Sequence, residues 1–230
     1  MDGQMEPKSD NFDEFIYVLS HDVRASVRAL AEIPQWISED LEAEGQSIPE
    51  AVSEYLGLMK THARRVDQML LDLLTYSRVG RKQDIKEVIL SEAWQKAVRL
   101  CHVPDGFELD VAFEHETLWM GTRDCEVMLV ALLSNAIKHH TGPNGRFAIR
   151  SVGEGVRVAL HVSDDGPGIP ENQRTRVFEV MKTLRPRDDV EGSGMGLPTV
   201  QKIVEFYGGE LAWTPPDTGH GTGFTLYFPM

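Results

Sequence analysis

Asp164-Asp165-Gly166-Pro167-Gly168 follows an alternating apolar run, Val156 to Val162, that reads as a β-strand. A carboxylate at a strand end can accept a hydrogen bond from an exocyclic amine, and the glycines permit a tight turn and close approach of a flat ligand. Downstream, Gly192-Ser193-Gly194-Met195-Gly196-Leu197 runs into a helical pattern. Backbone N–H groups there, with the N-terminus of the helix, can cradle phosphate oxygens. No strand ends directly before these glycines and no Gly-Lys-Ser follows, so neither a dinucleotide fingerprint nor a P-loop fits.

Upstream, Asn135, Lys138 and His139 fall on one face of a helix expected over Arg123–His139. An amide oxygen suits Mg²⁺, and an ammonium is a counter-charge for phosphate. The surrounding pattern predicts strands at Ile85–Leu90, Phe107–Phe113, Phe147–Val152, Val156–Val162, Leu211–Thr214 and Phe224–Phe228. Helices are expected at Ser91–Leu100, Glu171–Phe178 and Leu197–Tyr207 as well. Strands and helices interleave without repeated strand–helix–strand units, which predicts an α/β sandwich with a mixed sheet.

The N-terminal third reads differently. Ile16, Leu19, Val23, Ser26, Leu30, Ile33 and Ile37 alternate steps of three and four, and Val52, Leu56, Met59, Ala63, Val66, Leu70, Leu73 and Ser77 repeat the spacing. Gly45 should end the first helix, and Ser47-Ile48-Pro49-Glu50 has the form of a capping box for the second. Pro34 should kink the first helix. Leu71 and Leu74 widen the apolar face beyond what a two-helix hairpin covers, so a homodimeric four-helix bundle is expected. His21 lies between Leu19 and Val23, off this seam, and should be open to solvent. A neutral imidazole offers one lone-pair nitrogen suited to attack on phosphorus.

With 36 acidic against 23 basic residues the net charge is −13, which opposes binding to nucleic acid or an anionic bilayer. Cys101 and Cys125 lack metal or disulfide spacing and read as buried thiols. Met1–Glu14 is polar and acidic, unlike a signal peptide, and the longest apolar run, Val127–Leu133, is too short to span a membrane. A cytoplasmic protein without membrane insertion is expected.

Phe15 to Ala25 resembles the H box of sensor histidine kinases, and the Asn135, Asp164 and Gly192 motifs, in that order, resemble the N, G1 and G2 boxes of the Bergerat-fold ATPases, the superfamily of gyrase, Hsp90, histidine kinases and MutL. Together they cover almost the whole chain. The resemblance implies an α+β chain. It would comprise a disordered 1–11, a dimerisation and phosphotransfer hairpin over 12–79, a linker and first strand over 80–90, and an ATP-binding domain over 91–230. It implies that His21 is the phosphoacceptor and that Asp22 polarises it. It implies that Asn135 coordinates Mg²⁺, Lys138 lies near the phosphates, His139 stacks on the adenine and Asp164 reads it. Gly166, Gly168, Gly192, Gly194, Gly196 and Leu197 would complete the ATP cradle. Phe178 would anchor a lid running from Glu179 to Glu191, with Lys182, Arg185 and Arg187 supplying positive charge.

Autophosphorylation of His21 and transfer to an aspartate of a response-regulator receiver domain would follow. No sensor is recognisable before Phe12, so the stimulus is expected from a separate sensor protein or from a sensor domain lost from this chain. Ala25 stands where partner-dephosphorylating relatives carry Thr, Asn or Gln, which predicts weak phosphatase activity. Ala131 stands where many relatives carry a further asparagine, which keeps open a dimeric phosphotransfer or scaffold protein with a degenerate ATP-binding domain. A serine-directed kinase of the anti-sigma type would leave the hairpin histidine without a role.

Overall fold

The computed structural model describes residues 8–185 and 192–230. The chain divides into two compact units, Met1–Arg78 and Val79–Met230.

The first unit is a hairpin of α1 (Lys8–Ala43) and α2 (Glu50–Ser77). Lys8–Asn11, expected to be disordered, already belong to α1, and residues 1–7 lie outside the described set. The helix runs through Pro34 as one element, so the expected kink gives no break. It ends at a left-handed glycine: Gly45 has φ +70°, its N–H bonds to the Glu42 carbonyl, and the Gln46 N–H reaches the Leu41 carbonyl. That double closure satisfies carbonyls left open by the last turn. The capping box does not form. Pro49 is the cap of α2 without a side-chain hydrogen bond, and Glu50 is the first helical residue. Proline drives the preceding residue towards extended backbone, which holds Ser47 out of the first turn.

The interhelical seam also differs from the expected one. Ser20, Val27 and Pro34 are the buried residues of α1, with Arg24 and Ala31 half-buried between them. Leu56, Leu74 and Ser77 are the buried residues of α2. Arg24 bridges the helices, its Nε donating to Asp67 Oδ1 at 2.7 Å and its Nη2 to Oδ2 at 3.4 Å. Leu19, Val23, Leu30 and Ile37, expected inside, remain 37–53% exposed.

The second unit contains β1 (Ile85–Ile89), α3 (Leu90–Cys101), β2 (Phe107–Phe113), β3 (Thr117–Gly121), α4 (Thr122–His139), β4 (Gly145–Glu154), β5 (Arg157–Asp164), α5 (Gly196–Phe206), β6 (Glu210–Trp213) and β7 (Gly223–Pro229). The main sheet has the order β2-β4-β5-β7-β6, with β2 parallel to β4 and the other pairs antiparallel. This is the expected mixed sheet. A separate antiparallel pair joins β1 to β3, a strand the sequence reading missed. Glu171–Phe178 is not a helix but two short 3₁₀ turns.

The core follows from alternation along the strands. Phe147 and Ile149 of β4, Val158, Leu160 and Val162 of β5, and Phe224, Leu226 and Phe228 of β7 are buried, as are Met128, Leu129, Leu132 and Leu133 of α4 and Val200, Ile203 and Val204 of α5. Trp94 of α3 stacks on Phe147 with centroids 5.6 Å apart. Burial of these side chains, about 1.5–3 kcal/mol each, fixes α4 and α5 against the sheet. Cys125 is buried within this core, which pushes its thiol up to about 12, whereas Cys101 is only half-buried.

Candidate functional site

In the hairpin, His21 and Asp22 point outward, each side chain 73% exposed. Their position on α1 follows from the inner seam, because Ser20 and Arg24 face α2 and the residues between them turn away. His21 Nδ1 lies 3.2 Å from Asp22 Oδ1. With the proton on Nδ1 donated to that carboxylate, Nε2 carries the lone pair and faces solvent. Beside the ring is a groove of about 400 Å³ between the helices, floored by Ala25, Leu71 and Leu74 and edged by Arg24, Arg28 and Arg78.

In the second unit, the end of β5 delivers Asp164 into a ring of donors. Its Oδ1 accepts the Gly166 N–H at 2.9 Å and the Thr222 N–H at 3.1 Å. Burial nevertheless holds its pKa above the ordinary value, with the Gly166 and Thr222 hydrogen bonds opposing. A carboxylate has about four lone-pair sites, so capacity remains for an amine. The turn is closed by backbone that only glycine can form: Gly168 has φ +73°, and a Cβ there would lie 2.8 Å from the Gly221 carbonyl. Gly221, at φ +107°, abuts the Asp164 carbonyl so closely that a side chain would collide with it.

Asp165 takes a separate role. Its Oδ1 accepts the Arg146 N–H at 2.7 Å and lies 3.3 Å from His140 Nε2. His140 Nδ1 accepts the Gly142 N–H at 3.1 Å, and its ring stands edge-on to Phe107. This network ties the segment just after α4 to the Asp164 turn. Asn135 and His139 are half-buried near the same end of α4, and Lys138 is exposed. Burial lowers the His139 pKa, and Arg185 and Lys138 push the same way. The neutral form of the ring is therefore favoured at physiological pH.

The three glycines before α5 are not equivalent. Gly194 has φ +75° and abuts the Lys182 carbonyl, so the protein itself demands glycine there. A Cβ on Gly192 or Gly196 would meet no atom of the described residues within 4 Å, and neither has a left-handed φ. Among the described residues nothing crowds those two positions, which leaves their backbone open to an approaching group at the start of α5. Leu197 is buried and sets the first turn of α5. Phe178 packs against Trp213 and Phe224, at 5.9 and 6.2 Å between centroids, fixing the segment that precedes the expected lid. That lid and Arg187 lie partly or wholly outside the described residues.

Sequence reasoning missed Thr222, Gly221, Asp165 and His140. The signal for the first two was present in Gly219-His220-Gly221-Thr222-Gly223, where alternating glycines precede an apolar strand.

Residues 122–230 match the family model described as "Histidine kinase-, DNA gyrase B-, and HSP90-like ATPase". Over 99% of its length the chain is 29% identical to the methanogenesis regulatory histidine kinase FilI of Methanothrix harundinacea (strain 6Ac), of which it covers 26%. Over 95% of its length it is 26% identical to the adaptive-response sensory kinase SasA of Nostoc sp. (strain PCC 7120 / SAG 25.82 / UTEX 2576), of which it covers 57%. The chain thus spans less than two thirds of either relative. Among solved structures, full-length ShkA in complex with AMPPNP shares the fold, with a TM-score of 0.66 at 20% identity over 94% of this chain and 45% of that one. Residues 122–230 thus match the ATPase family of that description, and along its length the chain is similar in sequence to histidine kinases.

Proposed function

We propose that the chain is an ATP-dependent protein histidine kinase that phosphorylates His21 and passes the phosphoryl group to an aspartate of a response-regulator receiver domain. The observation that carries this reading is the exposed His21 ring with Nδ1 against Asp22, which leaves Nε2 as the nucleophile. Nε2 attacks the γ-phosphorus as the bond to the bridging oxygen breaks, and ADP departs with that electron pair. Nδ1 keeps its proton, and the Asp22 carboxylate that accepts its hydrogen bond stabilises the positive charge that develops on the ring. The P–N bond then breaks as a partner carboxylate takes the phosphoryl group.

In the ATPase unit, Asp164 accepts the adenine amine, neutral His139 stacks on the base, and the open faces of Gly192 and Gly196 receive the phosphates. Among the described residues no cluster of three or more His, Cys, Asp or Glu side chains could hold a metal. Asn135 would therefore hold Mg²⁺ together with phosphate and water oxygens, the mode this ion favours. Mg²⁺ supplies charge neutralisation at the transferring group.

The Arg24, Arg28 and Arg78 rim beside His21 is cationic in an acidic protein, which suits a carboxylate-bearing partner. The exposed stripe of Leu19, Val23, Leu30 and Ile37 suits a second hairpin and hence a homodimer. Incubation with Mg²⁺ and γ-labelled ATP tests the reading. Acid-labile, alkali-stable label that disappears in His21→Ala is expected. Label that survives this substitution, or a dimer that binds ADP and takes no label, would overturn it.

A further inference from the structure

Asp124 is a buried carboxylate that the proposed chemistry does not use. It lies in the first turn of α4 with its side chain 1% exposed. Oδ2 accepts the Gly80 N–H at 2.7 Å and the Tyr207 hydroxyl at 3.0 Å, and Oδ1 faces Arg123 Nη2 at 3.3 Å. The Tyr207 oxygen in turn accepts the Gly121 N–H at 3.0 Å. Burial pushes the Tyr207 phenol up to about 12, so it remains a donor at any physiological pH.

What these groups hold is the first stretch of the ATPase unit. Val79 is buried in its core, and Gly80 adopts φ +75° against the Phe206 ring, where a Cβ would overlap the aromatic carbons. The entering chain is therefore gripped from α4 and from the C-terminal end of α5, and the end of β3 holds Tyr207 in place. Both helices present their opposite ends to the candidate nucleotide site. Asn135 is eleven residues beyond Asp124, about 16 Å along α4, and Gly196 opens the α5 that Tyr207 closes.

We infer that Asp124 and Tyr207 form an anchor that fixes the point where the chain enters the ATPase unit, and that they are positioning residues for phosphoryl delivery, not for nucleotide binding. The positioning half of this inference rests on the proposed transfer to His21. The hairpin and the ATPase unit are joined by one covalent connection, and residues 78–80 lie in it. Slack there spreads the γ-phosphate over a larger volume relative to the imidazole and lowers its effective concentration. The nucleotide loops, at the far ends of the helices, are left as they are.

The test uses the full chain carrying Tyr207→Phe, which keeps the ring and its packing, beside Asp124→Asn and Gly80→Ala. Three quantities are measured: amide exchange at position 80, the Kd for Mg²⁺-ADP, and the initial rate of labelling at saturating ATP. The expected result is exchange faster by about tenfold or more, a Kd within about twofold of the parent, and a labelling rate lower by about tenfold or more. Unchanged exchange in Tyr207→Phe overturns the anchor. Faster exchange with an unchanged labelling rate, or a rate loss matched by the loss of ADP affinity, overturns the positioning role. A parent chain that binds ADP but takes no label refutes the kinase reading and the positioning role with it, while exchange at position 80 still decides the anchor.

Discussion

Gly194 and Gly196 lie two residues apart, and the structure gives their replacement by alanine opposite consequences. Gly194 is left-handed and backed by the Lys182 carbonyl. Alanine there costs about 1–2 kcal/mol for the backbone conformation alone, before the collision is relieved. Gly196 is exposed, opens α5 and, among the described residues, has no atom near its absent Cβ. Alanine, the better helix former, should leave stability unchanged or raise it by about 0.5–1 kcal/mol. For a chain of this size about 1 kcal/mol corresponds to roughly 2–4 °C. Gly196→Ala should therefore melt at or slightly above the parent, and Gly194→Ala several degrees below. Nucleotide binding should respond differently, because a methyl group on Gly196 occupies the face offered to phosphate. At ADP one hundred times its Kd the parent gains about 2.7 kcal/mol, and a variant binding tenfold more weakly gains about 1.4, half the shift in Tm. Thermal melts with and without Mg²⁺-ADP read both quantities at once. A Gly196→Ala variant with the full parental shift would refute the phosphate cradle. One that melts well below the parent would show that the fold itself needs that glycine.

Three further outcomes are expected. His140→Ala removes the partner of Asp165 and should weaken ADP binding about fivefold, the equivalent of one net hydrogen bond of about 1 kcal/mol, and His140→Gln should recover much of it; titration calorimetry showing no change for His140→Ala would exclude a role for the network in the site. Because burial raises the Asp164 pKa, the folded state holds this proton more tightly than the unfolded chain, so its contribution to stability falls as pH rises from below 3.8 through the raised value. Acceptance of the adenine amine needs the ionised form, so ADP affinity should decline as pH falls through that same window; an affinity that stays flat as pH falls to 3.8 would exclude it. Leu30→Asp, on the exposed stripe of α1, should convert a dimer to a monomer in sedimentation without loss of helical signal, and an unchanged sedimentation coefficient would place the dimer contact elsewhere.

The ATPase unit was legible wherever periodicity and turn chemistry agreed. In β4, β5 and β7 the large apolar residues alternate and are buried, which is what the pattern records, while the opposite face carries smaller or polar residues, several of them also buried: Ala148, Ala159, Ser163 and Thr225. β3 was missed because it has only five residues and leaves Trp119 exposed on its pairing with β1, a contact between distant segments that no local pattern encodes. Glu171–Phe178 was read as a helix from its local pattern. Only Val177 within the two turns is buried, too narrow an apolar face to hold a helix against the core. The Asp164 site was half legible. The carboxylate and its glycines lie in one short motif, whereas the Thr222 donor and the Gly221 closure lie beyond β6, brought there by the pairing of β5 with β7.

In the hairpin the spacing was legible and the partner was not. A long helix can carry two apolar seams side by side, each with the same alternation of three and four, and the sequence marks the greasier one more strongly. Here the inner seam is the more polar of the two. It is built on Ser20, Arg24, Val27 and Pro34, and its central contact is the Arg24–Asp67 pair, with both side chains about a quarter exposed. Such a pair fixes register better than it adds stability, since the desolvation of both charges offsets much of their attraction. The stronger stripe, Leu19, Val23, Leu30 and Ile37 with Val52, Met59 and Val66 of α2, is left open by the hairpin. Seven apolar side chains at heptad spacing exceed what a monomer usually leaves in water, and a second hairpin would cover both helices at once. His21 lies on the opposite flank of the inner seam from that stripe, about 100° round the helix from Ser20, so closing the stripe would leave its ring free.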